Sequence, residues 1–341
     1  MIVRIGVLIT FVVLFALALF LYLQNNKKVI IPQAINELAV NLHPLSIESM
    51  RKVIYPGSEI EIVQELPQGS NYRQYITSYT SEGLKIYGLL TVPTTQRPAN
   101  GYPAIIFNHG YIPPAEYRTN ERYIAYVDTF ARNGYVVFKS DYRGHGSSEG
   151  EADGAYFAPG YTADVLNALE SVKKLEYVNP DKIGMWGHSM GGTITQRALV
   201  INPDIKAAVI WGGVVGSYED IYTEWWSKRR RPNPTSATMN SNRSSRQSFI
   251  TEHGDPNLGN PFWNSISATS FLQYQKAPVS LHHGYSDETV PYQLSQLYHN
   301  ALEKAGIESE LFFYEGDDHD ITQNFSTAMN RSVEFFDKYL K

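Results

Sequence analysis

The chain has 341 residues, 43% of them hydrophobic and 18% charged, with a formal net charge of −5. That is the balance of an ordinary globular protein, long enough for one large α/β domain with an appendage or for two modest domains, and it argues against a general nucleic-acid binder. It contains no cysteine, which excludes disulfides, thiolate catalysis and Cys-ligated zinc and leaves the redox compartment open.

At the amino terminus, Ile5 to Leu23 ("IGVLITFVVLFALALFLYL") carries no charge. As a helix it would span about 28 Å, close to the hydrocarbon thickness of a bilayer. Ala16-Leu17-Ala18 has the small-x-small form of a processing site, but five more apolar residues follow it before "QNNKK". An uncleaved membrane anchor is therefore expected over residues 1–24, with a cleaved secretory signal as the alternative. Arg4 on one side is balanced by Lys27 and Lys28 on the other, so orientation is weakly determined. By analogy with other short-tailed anchors, the remaining chain is expected outside the cytoplasm. Residues 25–70 read as a polar lead-in, with Pro44 in "HPLSIESMRK" at a first helical turn and "YPGSE" as a break.

From residue 71 the pattern turns to strands. "YRQYITSYTS" and "LKIYGLLTVP" are β-branched and aromatic runs separated by "EG", as in a hairpin. The later runs are "YPAIIFNHG", "YVVFKSDYRG", "KIGMWGHS", "IKAAVIWGG", "APVSLHHGYSD" and "ESELFFYEGDDH". Helix-compatible stretches lie around 117–133, 160–177, 190–202, 291–305 and 322–340, and this alternation predicts a mostly parallel sheet flanked by helices. About sixty residues separate the run ending near Gly213 from the one starting at Ala277. That is too long for a connection, so an insertion acting as a cap or lid is expected at about 217–270. Its basic run Lys228 to Arg231 reads as a solvated flap. Trp225, Trp226, Phe262 and Trp263 are expected either to line a lid or to pack a small core there.

Gly187-His188-Ser189-Met190-Gly191 matches G-x-S-x-G. The bare match is weak, but it follows the apolar strand "KIGMW" and precedes the helical stretch "GGTITQRALVI", the strand, sharp turn and helix of a nucleophile elbow. The flanking glycines allow backbones to approach closely, pushing the serine hydroxyl above the sheet. A serine needs a base oriented by an acid. Asp287 in "HHGYSDETVP" and His319 in "YEGDDHDI" each follow a predicted strand, in the chain order Ser, Asp, His. "IFNHGYIPP" ends another strand, so the backbone N–H groups of Tyr111 and Met190 are the candidate oxyanion donors. His282, His283 and His109 are read as structural, and Arg143 and His145 as loop-fixing. No H-E-x-x-H or acidic calcium loop is present, so neither a metal nor another cofactor is expected.

With "SDYRGHGSSEG", "VNPDKIGMWGHSMGG" and "APVSLHHGYSDETVPYQLSQLYHNALEKAGIESELFFYEGDDH", residues from about 72 to the end resemble α/β hydrolases of the prolyl oligopeptidase type. The resemblance implies an eight-stranded sheet, a triad of Ser189, Asp287 and His319, and hydrolysis of peptide or acyl-ester bonds through an acyl-enzyme. Large members carry a β-propeller before this domain. Here about seventy residues precede the first strand, so the catalytic domain alone is expected. Family peptidases often carry a Tyr-x-Gly turn where this chain has Asn108-His109-Gly110. That departure argues against a tyrosine hydroxyl in the oxyanion site, and on the resemblance alone a serine-type peptidase is favoured over a carboxylesterase or acyl transferase on the same scaffold. A catalytically silent binding module is the reading from another class, and the oligomeric state is left open.

Overall fold

A computed structural model describes residues 42–228 and 237–341. The apolar run Ile5 to Leu23 and the basic residues Arg229 to Arg231 lie outside the described residues. Among the described residues no helix is long and apolar enough to cross a membrane.

Strand β1 (Glu61–Leu66) pairs antiparallel with β2 (Tyr72–Ser81), and β2 with β3 (Leu84–Pro93). The β2–β3 hairpin turns on Glu82 and Gly83, both at positive φ (49° and 82°). Such a two-residue loop follows the right-handed twist of its strands. After β4 (Tyr102–Asn108) and helix α2 (Ile124–Arg132), β5 (Val136–Ser140) inserts between β3 and β4. Helix α3 (Gly160–Lys173), β6 (Val178–His188), helix α4 (Met190–Ile201) and β7 (Ala208–Trp211) extend the other side. The insertion after β7 holds α5 (Tyr218–Ile221), α6 (Ala237–His253) and α7 (Pro261–Ile266), and β8 (Val279–Gly284), α8 (Gln293–Lys304), β9 (Ser309–Tyr314) and α9 (Phe325–Leu340) follow it. The sheet order is β1-β2-β3-β5-β4-β6-β7-β8-β9, parallel from β5 onward.

Its central strands are apolar on both faces because helices cover both. Ile106, Met185, Ile210 and Leu281 pack under α3, α4 and α8, while Ile105, Phe107, Trp186 and Val209 pack under α2 and α9. This double burial is why these runs read as continuous rather than alternating.

Two expectations need correction. The sheet has nine strands, not eight, because β1 comes from the stretch expected as lead-in. The helix expected in "HPLSIESMRK" is α1 (Ile47–Lys52), capped by Ser46 Oγ accepting from the Ser49 amide at 3.2 Å, so that Pro44 precedes the cap. Leu45, Ile47 and Met50 are buried there.

The helix expected at 117–133 begins only at Ile124. Arg122 and Tyr123 have φ of 57° and 55°, which no right-handed helix accommodates. Polar contacts hold the preceding turn instead. Buried Lys139 donates to Glu121 O at 3.0 Å, and Tyr117 and Thr119 donate their hydroxyls to buried Asp141.

Within the insertion, Trp263 is fully buried with Tyr218, Ile266 and Leu45, and half-buried Trp226 and Phe262 close around them. That decides for a small core at Trp263. Trp225 reaches the loop after β8, donating its Nε1–H to Thr289 O at 2.8 Å.

Candidate active site

The end of β6 runs into α4 through a single residue. Ser189 sits there at φ 55°, ψ −118°, a conformation that costs a non-glycine residue about 1–3 kcal/mol and is tolerated only where the surroundings impose it. They do so through the backbone. The Ser189 amide donates to Trp211 O, and Ser189 O accepts from the Gly192 and Val214 amides, each at 3.0 Å. Gly191 is required by crowding, since a Cβ there would lie 2.0 Å from Asn108 O; at Gly187 it would lie 2.4 Å from Thr195 Oγ1. The elbow is thus clamped between β4 and β7.

Asp287 lies in the turn after β8 with its carboxylate fully enclosed. Oδ1 accepts from the Thr289 and Val290 amides at 2.8 and 2.9 Å, and Oδ2 accepts from His319 Nδ1 at 2.6 Å. Burial pushes this carboxyl up. The donors on His283 and His319, the charge of His319 and the Val290 amide outweigh it and hold Asp287 well below the usual carboxylate range. The His319 Nδ1–H is thereby committed to Asp287, leaving Nε2 as the nitrogen that can accept a proton.

The His319 loop is built by its acidic neighbours. Asp317 is buried and accepts from the Gln323 and Asn324 amides at 2.7 and 3.2 Å, while the Thr322 and Asp320 amides donate to Asp318. The ring of His319 lies over Gly212, where a Cβ would come within 3.1 Å of Nδ1. Among the described residues no hydrogen bond joins Ser189 Oγ to His319. Neighbours bring the two together: His188 donates from Nε2 to His319 O at 3.1 Å, and their rings are 4.6 Å apart.

On the other side, Gly110 backs onto the nucleophile candidate, with the place of a Cβ 3.1 Å from Ser189 Cβ. Tyr111 follows it on the exposed rim, and Met190 opens α4. His109 is stacked between Tyr117 and Tyr142, and burial drives it well below the ordinary imidazole value. Arg143 grips the buried carboxylate of Asp164 through Nε and Nη2. His282 is bonded within the sheet, to Ser280 and Tyr314.

His283 is not merely structural packing. Its Nε2 lies 3.1 Å from Asp287 Oδ2 and 3.0 Å from Val290 O, and its Nδ1 2.7 Å from Ser295 Oγ. Two acceptors facing Nε2 require the proton there, so His283 is a second donor to the carboxylate that His319 uses. Its four-residue spacing from Asp287, across the end of β8, was the available clue.

No group of three or more His, Asp or Glu side chains that could hold a metal occurs among the described residues.

Comparison with known proteins gives this arrangement its relatives. The model of the prolyl oligopeptidase family matches residues 122–341. Dipeptidyl peptidase 8 of Mus musculus is 25% identical over 258 residues, which cover 71% of this chain but only 26% of that protein. The uncharacterized peptidase YtmA of Bacillus subtilis (strain 168) is 27% identical over 267 residues, 76% of this chain and 90% of its own. Among solved structures, acetyl xylan esterase from Paenibacillus sp. R4 shares the fold with a TM-score of 0.63 at 18% identity, over 86% of this chain and 92% of that one. With its α/β-hydrolase sheet and strained serine elbow, this chain belongs to the prolyl oligopeptidase family.

Proposed function

We propose that this protein is a serine hydrolase that cleaves peptide or acyl-ester bonds through an acyl-enzyme. The observation that carries the reading is the 2.6 Å bond from His319 Nδ1 to buried Asp287, set beside the strained elbow at Ser189. Ser189 Oγ is the nucleophile. His319 Nε2 takes its proton as Oγ bonds to the substrate carbonyl carbon, and Asp287 stabilises the resulting imidazolium without taking the proton itself. The amides of Tyr111 and Met190 receive the oxyanion. His319 then protonates the leaving amine or alcohol, and water releases the acyl group by the same steps. The Ser189–His319 hydrogen bond closes when substrate binds, as such bonds often do.

Peptide bonds are the favoured substrates, on the family and on the peptidases among the relatives. Acyl esters are the second reading, since an acetyl xylan esterase shares the fold over nearly its whole length. The uncharged run from Ile5 to Leu23 further supports a membrane anchor, with the hydrolase domain outside the cytoplasm.

The test uses the full chain in detergent beside Ser189→Ala, with fluorophosphonate labelling and a panel of peptidyl p-nitroanilides and p-nitrophenyl esters. Wild type is expected to label and to turn over one class, and the variant to do neither. Equal labelling of a folded Ser189→Ala, or no labelling of either, sinks the reading; the preferred class separates peptidase from esterase.

A further inference from the structure

Tyr123 lies sixty-five or more positions from His188, Ser189, Asp287 and His319, yet its hydroxyl sits between Gly110 and His188 beside the elbow. The Gly110 amide donates to Tyr123 Oη at 2.9 Å, and Tyr123 Oη lies 2.7 Å from His188 Nδ1. The other ring nitrogen of His188 faces the His319 carbonyl at 3.1 Å. A carbonyl only accepts, so Nε2 carries the proton. Burial, with His319 alongside, pushes His188 down to about 3 and keeps the ring neutral, so Nδ1 is an acceptor. The phenol's one proton therefore points at His188. The hydrogen bonds run in one direction, from the Gly110 amide to Tyr123, from Tyr123 to His188, and from His188 to the His319 backbone.

We propose that Tyr123 is a positioning residue for the hydrolase: its hydroxyl links the oxyanion turn at Gly110–Tyr111, the elbow at His188–Ser189 and the loop of His319. This rests on the hydrolase reading above. Because its proton is spent on His188, the hydroxyl is not itself an oxyanion donor. It fixes Gly110, and so the direction in which the next amide, that of Tyr111, points. The positive φ of Arg122 and Tyr123, held by buried Lys139, is what aims the ring inward from the start of α2.

The experiment compares wild type, Tyr123→Phe, His188→Phe and the double variant in the full chain. It measures fluorophosphonate labelling, kcat, KM and melting temperature. Tyr123→Phe is expected to label still, but more slowly, and to lose about tenfold to a hundredfold in kcat with KM nearly unchanged, as a misplaced oxyanion donor would. The double variant is expected to lose no more than the worse single one, because one chain has been cut twice.

An unlabelled wild type overturns the hydrolase reading and this one with it. A labelled wild type with unchanged kcat in Tyr123→Phe, or additive losses in the double variant, overturns this one alone. If the phenylalanine variants do not fold, ¹⁵N NMR of wild-type histidines decides. His188 is expected as the Nε2–H tautomer and not to titrate between about pH 5 and 8; the Nδ1–H tautomer overturns the proposal.

Discussion

Asp287 accepts from two backbone amides and two imidazoles, and each donor favours its ionised form. Asp287→Asn removes the charge that holds the His319 tautomer. Under the proposed mechanism, kcat is expected to fall about 10⁴-fold while the fold persists, measured on whichever chromogenic substrate wild type prefers. The same carboxylate links stability to pH. Its folded value lies below its unfolded one, so it stabilises the fold above about pH 4 and that contribution is lost as pH falls further, towards the folded value. Denaturant melts of Asp287→Asn against wild type are expected to show a flatter decline below pH 4. A parallel decline in both proteins would refute the assignment. Ser189, Asp287 and His319 could be singled out as candidates because an elbow motif and strand-end positions are local signals. Tyr123 and the role of His283 were not, since what matters about them is the partner, and Tyr123 finds His188 sixty-five positions away.

At the scale of elements, the elbow depends on space rather than on propensity. A methyl at Gly191 would collide with the backbone oxygen of Asn108, so Gly191→Ala is expected to displace α4 from β4 and abolish fluorophosphonate labelling. Gly83, in the β2–β3 turn, has open space around it and is special only in its φ of 82°. Gly83→Ala is expected to cost about 1 kcal/mol in chemical denaturation and leave labelling intact. Similar losses of labelling in both would mean that the elbow is not the tight point. The turn before α2 shows the limit of local reading. Residues 117–123 suit a helix in composition, yet buried Lys139 and Asp141, arriving from β5, take their polar groups and hold them in another conformation.

For the whole molecule, the domain reaches back to His43 rather than to the first hairpin. Ile47 is fully buried in the core that holds α3 and α4 against the sheet, and Arg51 donates to Val200 and Ile201 carbonyls at the end of α4. Ile47→Ala is therefore expected to destabilise by about 2–5 kcal/mol, as for other core truncations, and a loss under 1 kcal/mol in denaturant titration would show that α1 is dispensable. The alternation of apolar runs and helical stretches determined the parallel sheet, its order of elements and the chain order Ser, Asp, His, because periodicity and strand-to-helix turns are written within a few neighbouring residues. Tertiary structure alone decided that the lead-in adds a ninth strand and that its helix packs into the core, that His283 shares the carboxylate with His319, and that Tyr123 faces the elbow. Those outcomes depend on which distant groups meet when the apolar faces are buried, and buried polar atoms then take the partners that lie within reach.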